Sequence, residues 1–414
     1  MEKCIIRNYN NLVVKIKVTN TTENRKQSKG RNTNMRVLRK VTAVAMASAM
    51  VVSMAGCGGG AKETTAAATE APTTAATEAA TEAATEAAAA ASEAATEAAA
   101  ATTGDYADKK VGISIYKFDD NFMTLYRTEL ERYLTEDLGF KKENITIMDG
   151  KNDQAEQTNQ IDNFINQGVD VLILNLVQSS SAPSVTDKCN EAGIPVVYIN
   201  REPDAAEEQR WKDEGIKATY VGADARQSGT FQGEEIAELE NHGDANGDGV
   251  VSYIMVQGDP ENVDAQYRTE YSVKALTDAG VKVEELLKQR GDWDQAKGQQ
   301  IVQDALTQFG DKIDVVFCNN DAMALGALAA IQAADRKVGE DIYIVGVDAL
   351  TEAVQNVMEG KMTGTVFNDH ISQAKTAADI ACDFLNGKDV ANVNMVDYVK
   401  VTNENAQQIL DIVK

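Results

Sequence analysis

The feature that most constrains the fold is a series of short, predominantly apolar segments separated by stretches long enough to form helices. The first four such segments are residues 111–116, 145–148, 171–175 and 195–199. The stretches of helical length between them are residues 121–138, 154–167 and 182–192. Strands that are apolar on both faces and alternate with helices are typical of parallel sheets covered on both sides. The pattern therefore predicts an α/β fold.

The same alternation starts a second time further along the chain. Its parts are an apolar segment at 218–221, a helical stretch at 226–240 and apolar segments at 251–256, 315–318 and 342–345. We therefore predict two doubly wound parallel-sheet lobes, 108–222 with 370–395 and 223–369 with 396–414. Three chain crossings, near residues 222–224, 369–370 and 394–399, would form the hinge between them. In open sheets of this kind, ligands bind at the carboxyl ends of the strands.

The first 57 residues have the pattern of an export signal. Residues 35–40 are basic, and an apolar run follows at 41–55. A basic start, a short apolar core and small residues before a cleavage point are typical of a secretory signal, and the run is too short for a membrane-spanning helix. Its end, Met54-Ala-Gly-Cys57, resembles a bacterial lipobox and predicts lipidation of Cys57 and anchoring to the outer face of the cell membrane. An ordinary signal peptide with an incidental cysteine is the alternative, and Met35 is an alternative start.

Residues 58–107 have a composition that does not favour folding. After a few glycines, Ala, Thr and Glu dominate this segment. Without large apolar side chains, a chain cannot bury enough surface to offset the entropy lost on ordering. We expect a disordered tether between the lipid anchor and the folded lobes.

Charge and residue counts exclude several classes of function. The net charge of −24 at pH 7 argues against a nucleic-acid partner, because phosphate binding needs a basic surface. Two histidines leave little scope for histidine catalysis or a His-rich metal site. The five cysteines show no C-x-x-C pair, so neither a zinc site nor a disulfide framework is indicated. Cys189 and Cys318, within or beside apolar segments, are expected to be buried.

Polar side chains follow the predicted strands at the ends where a ligand would bind. They include Asp120, Asn200, Arg201, Asp264, Arg268, Asn320, Asp348 and Asn368. Planar carboxylate, amide and guanidinium groups can each hydrogen-bond two neighbouring sugar hydroxyls, and aromatic rings such as Phe122 and Trp293 suit the apolar face of the sugar. Helix N-caps use the same residue types at the same positions. Capping therefore explains any one of them, whereas six strand ends together favour a ligand site.

The sequence resembles the family of bacterial periplasmic D-galactose/D-glucose-binding proteins over nearly all of residues 108–414. The motifs that carry the resemblance are 115–123 (IYKFDDNFM), 200–203 (NREP), 319–324 (NNDAMA), 346–350 (GVDAL) and 364–369 (GTVFND). It implies the type I periplasmic binding protein fold and a non-enzymatic, monomeric protein that passes a monosaccharide to an ABC transporter permease. A chemoreceptor remains open as a second partner.

The resemblance also implies which residues contact the sugar. They are Asp120, Phe122, Asn200, Arg201, Asn262, Asp264, Arg268, Trp293, Asn320, Asp348 and Asn368. Two positions depart from the family pattern. Arg201 stands where the family often has Lys, and Asn262 stands where well-known members have a His that contacts the sugar. The hexose preference therefore stays open between galactose and glucose.

Residues 244–250 match the first half of a calcium-binding loop. Asp244, Asn246 and Asp248 offer oxygens at alternate positions, and Val250 offers its carbonyl. The twelfth position of an EF-hand loop would be a Glu, but here it is Met255. The resemblance implies that Asp314 supplies the missing carboxylate and Ser252 a further ligand for a structural Ca²⁺. A polar turn without metal is the alternative.

Three other functions fit parts of the pattern. A sugar-acting enzyme would need a fixed pair of carboxylates, and nothing in the sequence fixes one. The sensing half of a transcription repressor would need a basic DNA-binding segment, which the acidic tether replaces. A binding protein for a pentose or a furanose would use the same architecture, but two aromatic rings and the full polar set favour a pyranose.

Overall fold

The computed structural model describes residues 105–414. The strands are β1 (Val111–Ile115), β2 (Ile145–Asp149), β3 (Val171–Leu174), β4 (Val196–Ile199), β5 (Ala218–Gly222), β6 (Val251–Gln257), β7 (Val283–Arg290), β8 (Val315–Cys318), β9 (Tyr343–Val345), β10 (Thr365–Phe367), β11 (Val393–Met395) and β12 (Val399–Val401). The α-helices are α1 (Asn121–Arg132), α2 (Gln154–Gln167), α3 (Ala182–Ala192), α4 (Ala205–Glu214), α5 (Ala225–Ala237), α6 (Val263–Asp278), α7 (Gln295–Phe309), α8 (Asp321–Ala333), α9 (Thr351–Met358), α10 (His370–Leu385) and α11 (Ala406–Val413).

The first lobe contains a six-stranded sheet with the order β11-β5-β4-β3-β1-β2. Every neighbouring pair in it is parallel. Strands β1, β3 and β4 are buried along their whole length, which is why they are apolar on both faces. The α/β class and the parallel sheet predicted from the sequence are confirmed.

The second lobe contains a four-stranded parallel sheet with the order β7-β6-β8-β9. The antiparallel pair β10 and β12 continues it, because Phe367 of β10 bridges to Asp348 just beyond β9. The chain passes between the lobes three times, between β5 and α5, between β10 and α10, and between β11 and β12. Helix α10 packs on α1, where the Tyr126 hydroxyl donates to the carbonyl of Gln373 at 3.1 Å.

The folded part begins earlier than the predicted end of the tether at residue 107. Tyr106 is only 2% exposed and stacks on Phe140 with ring centroids 5.0 Å apart. Its hydroxyl also accepts a hydrogen bond from Asn386 at 2.7 Å. These contacts tie Tyr106 to the core of the first lobe, so the boundary at 107 is wrong by at least two residues.

Helices α5 and α6 approach each other unusually closely at two glycines. A Cβ on Gly229 would lie 3.0 Å from backbone atoms of Tyr267 and Arg268. A Cβ on Gly233, one turn further on, would lie 2.2 Å from the carbonyl oxygen of Ser272. A side chain at Gly233 would force the helices apart and one at Gly229 would crowd them, so these two glycines allow the close approach of α6 to α5.

Candidate functional site

All eleven residues predicted to contact a sugar line one cavity between the lobes, together with Tyr116 and Met123. Asp120, Phe122, Asn200 and Arg201 come from the first lobe. The second lobe supplies Asn262, Asp264, Arg268, Trp293, Asn320 and Asp348, and Asn368 lies where the chain crosses at the end of β10. We call this cavity the inner cavity.

The inner cavity is nearly filled by its own side chains. Its volume is about 30 Å³, which is room for one or two water molecules. A monosaccharide could enter only if the lobes separate or the lining side chains move. Three chain crossings close together suit a hinge motion of this kind.

On the first-lobe side, Asp120 is held by two donors. One oxygen accepts from the Tyr116 hydroxyl at 2.6 Å, and the other accepts from the backbone N–H of Met123 at 2.8 Å. The guanidinium of Arg201 stacks on the Tyr116 ring, and its carbon lies 3.8 Å from the ring centroid. Arg201 donates to the carbonyl of Val177 at 2.6 Å. Fixed in this way, both charged groups can meet a ligand without reorganising.

On the second-lobe side, Asp264 and Arg268 lie one helical turn apart on α6. Their nearest charged atoms are 3.6 Å apart, and both side chains are almost completely buried. Arg268 also donates to the carbonyl of Asn319 at 2.8 Å and to the Tyr398 hydroxyl at 2.9 Å. Burial raises the pKa of the Asp264 carboxyl, although the charges of Arg268 and Arg201 oppose the shift. A desolvated carboxylate of this kind favours a ligand that donates hydrogen bonds to it.

Asp348 and Asn368 form a second polar pair beside the hinge. Asn368 donates its amide N–H to Asp348 at 3.3 Å and accepts from the Gln373 amide at 2.6 Å. Burial raises the pKa of Asp348 well above its usual value, and the charge of Arg268 opposes this shift. Asp120, from the other lobe, raises the pKa further. Carboxylates from both lobes therefore line one cavity.

The two aromatic residues predicted for the site come from opposite lobes. Phe122 is 6% exposed and meets the rings of Tyr126 and His370 edge to face, at 6.2 and 6.3 Å between centroids. Trp293 lies against Gly258, where an added Cβ would come 2.3 Å from the indole ring. A sugar in the inner cavity would contact an aromatic ring of each lobe.

Some residues that line the inner cavity have strained backbone conformations. Three of them have positive φ although they are not glycine, Asn200 at 61°, Trp293 at 63° and Asp348 at 119°. Asn tolerates the left-handed region, but for Trp and Asp such conformations cost about 1–3 kcal/mol each. Strain of this kind persists only where the surrounding structure holds the residue in place. Here the three strained residues all contribute side chains to the lining of one cavity.

Helix capping, the other explanation for these residue types, holds for three of them. Asp120, Asn262 and Asn320 each accept a backbone N–H at the start of α1, α6 and α8 respectively. All three still line the cavity. The side-chain oxygen of Asn320 caps α8, which leaves its NH₂ group available to a ligand. Capping and ligand binding are therefore compatible at these positions.

Several lining or supporting residues were not predicted. Tyr116 bridges Asp120 and Arg201, and Tyr398 at the third crossing holds Arg268. Asn175 donates to Asn200 at 3.1 Å and so orients it. Tyr116 could have been found, since it directly follows β1 at the edge of the sheet where a ligand would bind. Asn175 could have been found too, since it directly follows β3. Tyr398 lies 130 positions from Arg268, so no local pattern points to it.

The predicted calcium loop is a tight turn that precedes β6, at the opposite end of that strand from the cavity. Asp244 accepts backbone N–H groups of Gly247 and Gly249 at 2.8 Å each. The backbone N–H of Asn246 donates to the Asp314 carboxylate at 3.1 Å, and that of Ser252 donates to it at 2.8 Å. Asp314 thus reaches from the second lobe's core to the loop.

The oxygens of this loop already have backbone partners. Asp248 accepts from the N–H of Val250 at 2.9 Å. Within residues 105–414, no group of three or more His, Cys, Asp or Glu side chains is arranged to hold a metal ion. Burial raises the pKa of Asp314, and the charges of Asp244 and Asp248 raise it further. The turn and the donor set suit a cation, but the carboxylates point to backbone amides.

The predicted export signal, the lipidation site at Cys57 and the tether up to residue 104 lie outside the described residues. Among the helices of residues 105–414, none combines the length and apolar character needed to cross a membrane. Cys189 and Cys318 are buried as predicted, and Cys382 is buried too.

Comparison with known proteins matches the chain and its fold to one family. The family described as periplasmic binding protein domain matches residues 111–389. The D-galactose/methyl-galactoside binding periplasmic protein MglB of Haemophilus influenzae is 36% identical over 293 residues, covering 70% of this chain and 85% of that protein. The ribose import binding protein RbsB of Bacillus subtilis is 28% identical over 290 residues, covering 70% of this chain and 86% of that protein.

A solved structure agrees with this assignment. The crystal structure of an ABC transporter solute binding protein from Bacillus halodurans with bound myo-inositol has a TM-score of 0.64 and 31% identity. It covers 75% of this chain and 99% of that chain. The present chain therefore belongs to the periplasmic binding protein family, with the type I fold that the sequence predicts, and is a binding protein and not an enzyme.

Proposed function

We propose that this protein is the substrate-binding lipoprotein of a sugar ABC transporter and captures D-galactose or D-glucose in the inner cavity. One observation carries the proposal. Acidic, amide, guanidinium and aromatic side chains from both lobes meet in one buried cavity. Such groups can serve the hydroxyls and the apolar face of a pyranose together. The similarity to MglB supports a hexose as the sugar.

The charge arrangement explains why a sugar would favour the closed lobes. Closure brings Asp120 of the first lobe and Asp348 of the second into the lining of one cavity, where the charge of Asp120 repels the ionised form of Asp348 and so raises its pKa. Sugar hydroxyls between them would donate hydrogen bonds to both carboxylates and relieve that repulsion. A ligand stabilises a closed form only through contacts that the open form lacks. The closed shape would then be what a transporter permease recognises.

Other ligands remain candidates because relatives differ in what their names say they bind. Ribose is named for RbsB and myo-inositol for the Bacillus halodurans structure. A thermal-shift screen over hexoses, pentoses and inositols separates these possibilities. We expect galactose or glucose to raise the melting temperature most. A larger shift with ribose or inositol would keep the binding fold and replace the hexose.

Location follows from the same proposal. We propose that the protein works outside the cytoplasmic membrane, held there by a lipid on Cys57 and a tether. The lipobox-like Met54-Ala-Gly-Cys57 supports this. Mass spectrometry of the mature N-terminus tests it, since an unmodified Cys57 would contradict it.

Sugar affinity should fall as the pH rises from about 5 to about 7.5. Burial, then the charge of Asp264 from the other lobe, raises the pKa of Glu202 to about 7 from its ordinary 4.5. Asp224 adds to the shift and Arg226 opposes it. Burial, then the charge of Glu202, raises the pKa of Glu208 to about 7 as well. Closing the lobes therefore takes up a proton between these two pH values, so a rising pH disfavours the closed form.

Calorimetry at four pH values between 5 and 8 checks this prediction. Glu202→Gln keeps the size of the side chain and removes its charge, so the affinity of this variant should depend less on pH. Identical pH profiles for the variant and the wild type would contradict it.

We propose that the loop at residues 244–250 binds a structural Ca²⁺ with help from Ser252 and Asp314. The loop's run of oxygen donors supports this, as do the hydrogen bonds that join Asp314 to the backbone of Asn246 and Ser252. At a calcium concentration ten times the dissociation constant, binding stabilises the folded protein by about 1.4 kcal/mol. We expect calcium to raise the melting temperature by a few degrees relative to a chelator.

Asp314→Asn should abolish this calcium-dependent shift. Asp311→Asn is the matched control, because Asp311 is nearby and its side chain is 99% exposed. Equal melting temperatures of the wild type with calcium and with chelator would contradict the proposed metal site.

A further inference from the structure

A second and larger cavity lies next to the inner cavity at the edge of the cleft. Its volume is about 170 Å³. The first lobe contributes Lys117 and Asn152 to its lining, and the second lobe contributes Arg290, Asp292 and Lys297. We call it the outer cavity. Because both lobes line it, it exists as a single space only when they are close together.

The two cavities share a wall. Tyr116, Arg201 and Trp293 line both of them. The guanidinium of Arg201 is stacked on Tyr116 at 3.8 Å, and Trp293 is fixed against Gly258. The two cavities are therefore neighbours. A group attached to a sugar in the inner cavity could extend past these three side chains into the outer cavity.

Three of the four cations that line the outer cavity are already paired with a carboxylate, and the fourth, Arg201, is stacked on Tyr116. Arg290 lies 3.3 Å from Asp259, and Lys297 lies 2.5 Å from Asp292. Lys117 lies 3.4 Å from Asp119. A phosphate or carboxylate would have to displace one of these carboxylates from its cation. A hydroxyl can accept from the cation and donate to the carboxylate at once, so the cavity suits a neutral, hydroxylated group.

We propose that the outer cavity is a subsite for a neutral, hydroxylated substituent on the sugar held in the inner cavity, such as a second sugar ring. The protein would then take up glycosides as well as free monosaccharides. This inference rests on the proposed function, since the substituent is attached to the captured hexose. Asn152 and Lys297, one from each lobe, would be the contacts of the substituent.

Calorimetry on the intact protein tests the subsite with four ligands. They are the free hexose that binds best, its methyl glycoside, and disaccharides that carry a second hexose at its anomeric carbon in either configuration. One disaccharide should bind at least as tightly as the methyl glycoside. Asn152→Gly and Lys297→Met should each weaken that disaccharide about threefold to tenfold, the value of one hydrogen bond. Their affinity for the free hexose should stay that of the wild type.

The chain offers a matched control for the Asn152 variant. Asn152 and its neighbour Lys151 both have φ of 54°, so glycine fits either position without strain. Lys151 does not line the outer cavity among the described residues. Lys151→Gly should therefore bind every ligand like the wild type.

The outcomes separate this inference from the function on which it rests. If the hexose binds but neither disaccharide does, the subsite is wrong and the proposed function stands. If a disaccharide binds and both variants bind it like the wild type, the outer cavity is not where the substituent lies. If no hexose binds, the proposed function fails and the subsite fails with it.

Discussion

Asp264→Asn should weaken hexose binding by about a hundredfold or more without destabilising the protein. Asparagine keeps the size and shape of the side chain but loses its charge. A hydrogen bond to a charged, buried group contributes about 1.5–3 kcal/mol, and a carboxylate can accept from two hydroxyls. The dissociation constant measured by calorimetry checks the first part of the prediction.

The stability of the same variant distinguishes a binding role from a structural one. Burial raises the pKa of Asp264 despite the nearby Arg268 and Arg201, which means that its charge is a cost to the folded protein at neutral pH. Removing the charge should leave the free energy of unfolding unchanged or raise it. Arg268 keeps its bonds to Tyr398 and to the Asn319 carbonyl.

Glu270→Gln is the control, because Glu270 lies on the same helix with an exposed side chain. It removes one negative charge from α6 without touching the cavity. Near-normal hexose affinity of Asp264→Asn would show that this carboxylate does not face the ligand.

Gly233→Ala should lower the free energy of unfolding by up to about 3 kcal/mol, although alanine ordinarily favours a helix over glycine. The added Cβ would come 2.2 Å from the Ser272 carbonyl oxygen and 2.5 Å from the Ala275 Cβ. Overpacking of this kind typically costs about 1–3 kcal/mol, which outweighs the roughly 1 kcal/mol that alanine gains in helix propensity. Denaturant unfolding measures the change.

The same variant should also weaken sugar binding. Helix α6 carries Asp264 and Arg268, so pushing it away from α5 moves both groups relative to the first lobe. Lys274→Ala, an exposed change on α6, should alter stability by less than about 0.5 kcal/mol. Stabilisation by Gly233→Ala would show that the two helices are not in close contact.

The sequence predicts secondary structure best where strong local signals agree. Helix α2 has the predicted bounds because Asp153 caps its start and Gly168, with φ of 63°, ends it. Helix α1 was predicted to continue to residue 138, but it ends at Arg132 and the chain widens into a π-helical turn. Strand β7 was missed because it is an edge strand whose residues are mostly exposed and charged, so it lacks the apolar signal of a buried strand.

Part of the candidate site could be predicted from the sequence for the same reason. Each strand end places its polar residues at one edge of the sheet, so Asp120, Asn200 and Asp348 could be expected to converge. Local sequence cannot show which residues of distant segments support them. The hydrogen bond from Arg268 to Tyr398 joins residues 130 positions apart. The outer cavity depends on the approach of the two lobes, which no local pattern describes.

A crystal structure of the protein with the hexose that shifts its melting temperature most is the most direct test. It should show one sugar between Asp120 and Phe122 on one side and Asp264 and Trp293 on the other, contacting both lobes. A sugar bound to one lobe only, or outside the inner cavity, would contradict the account.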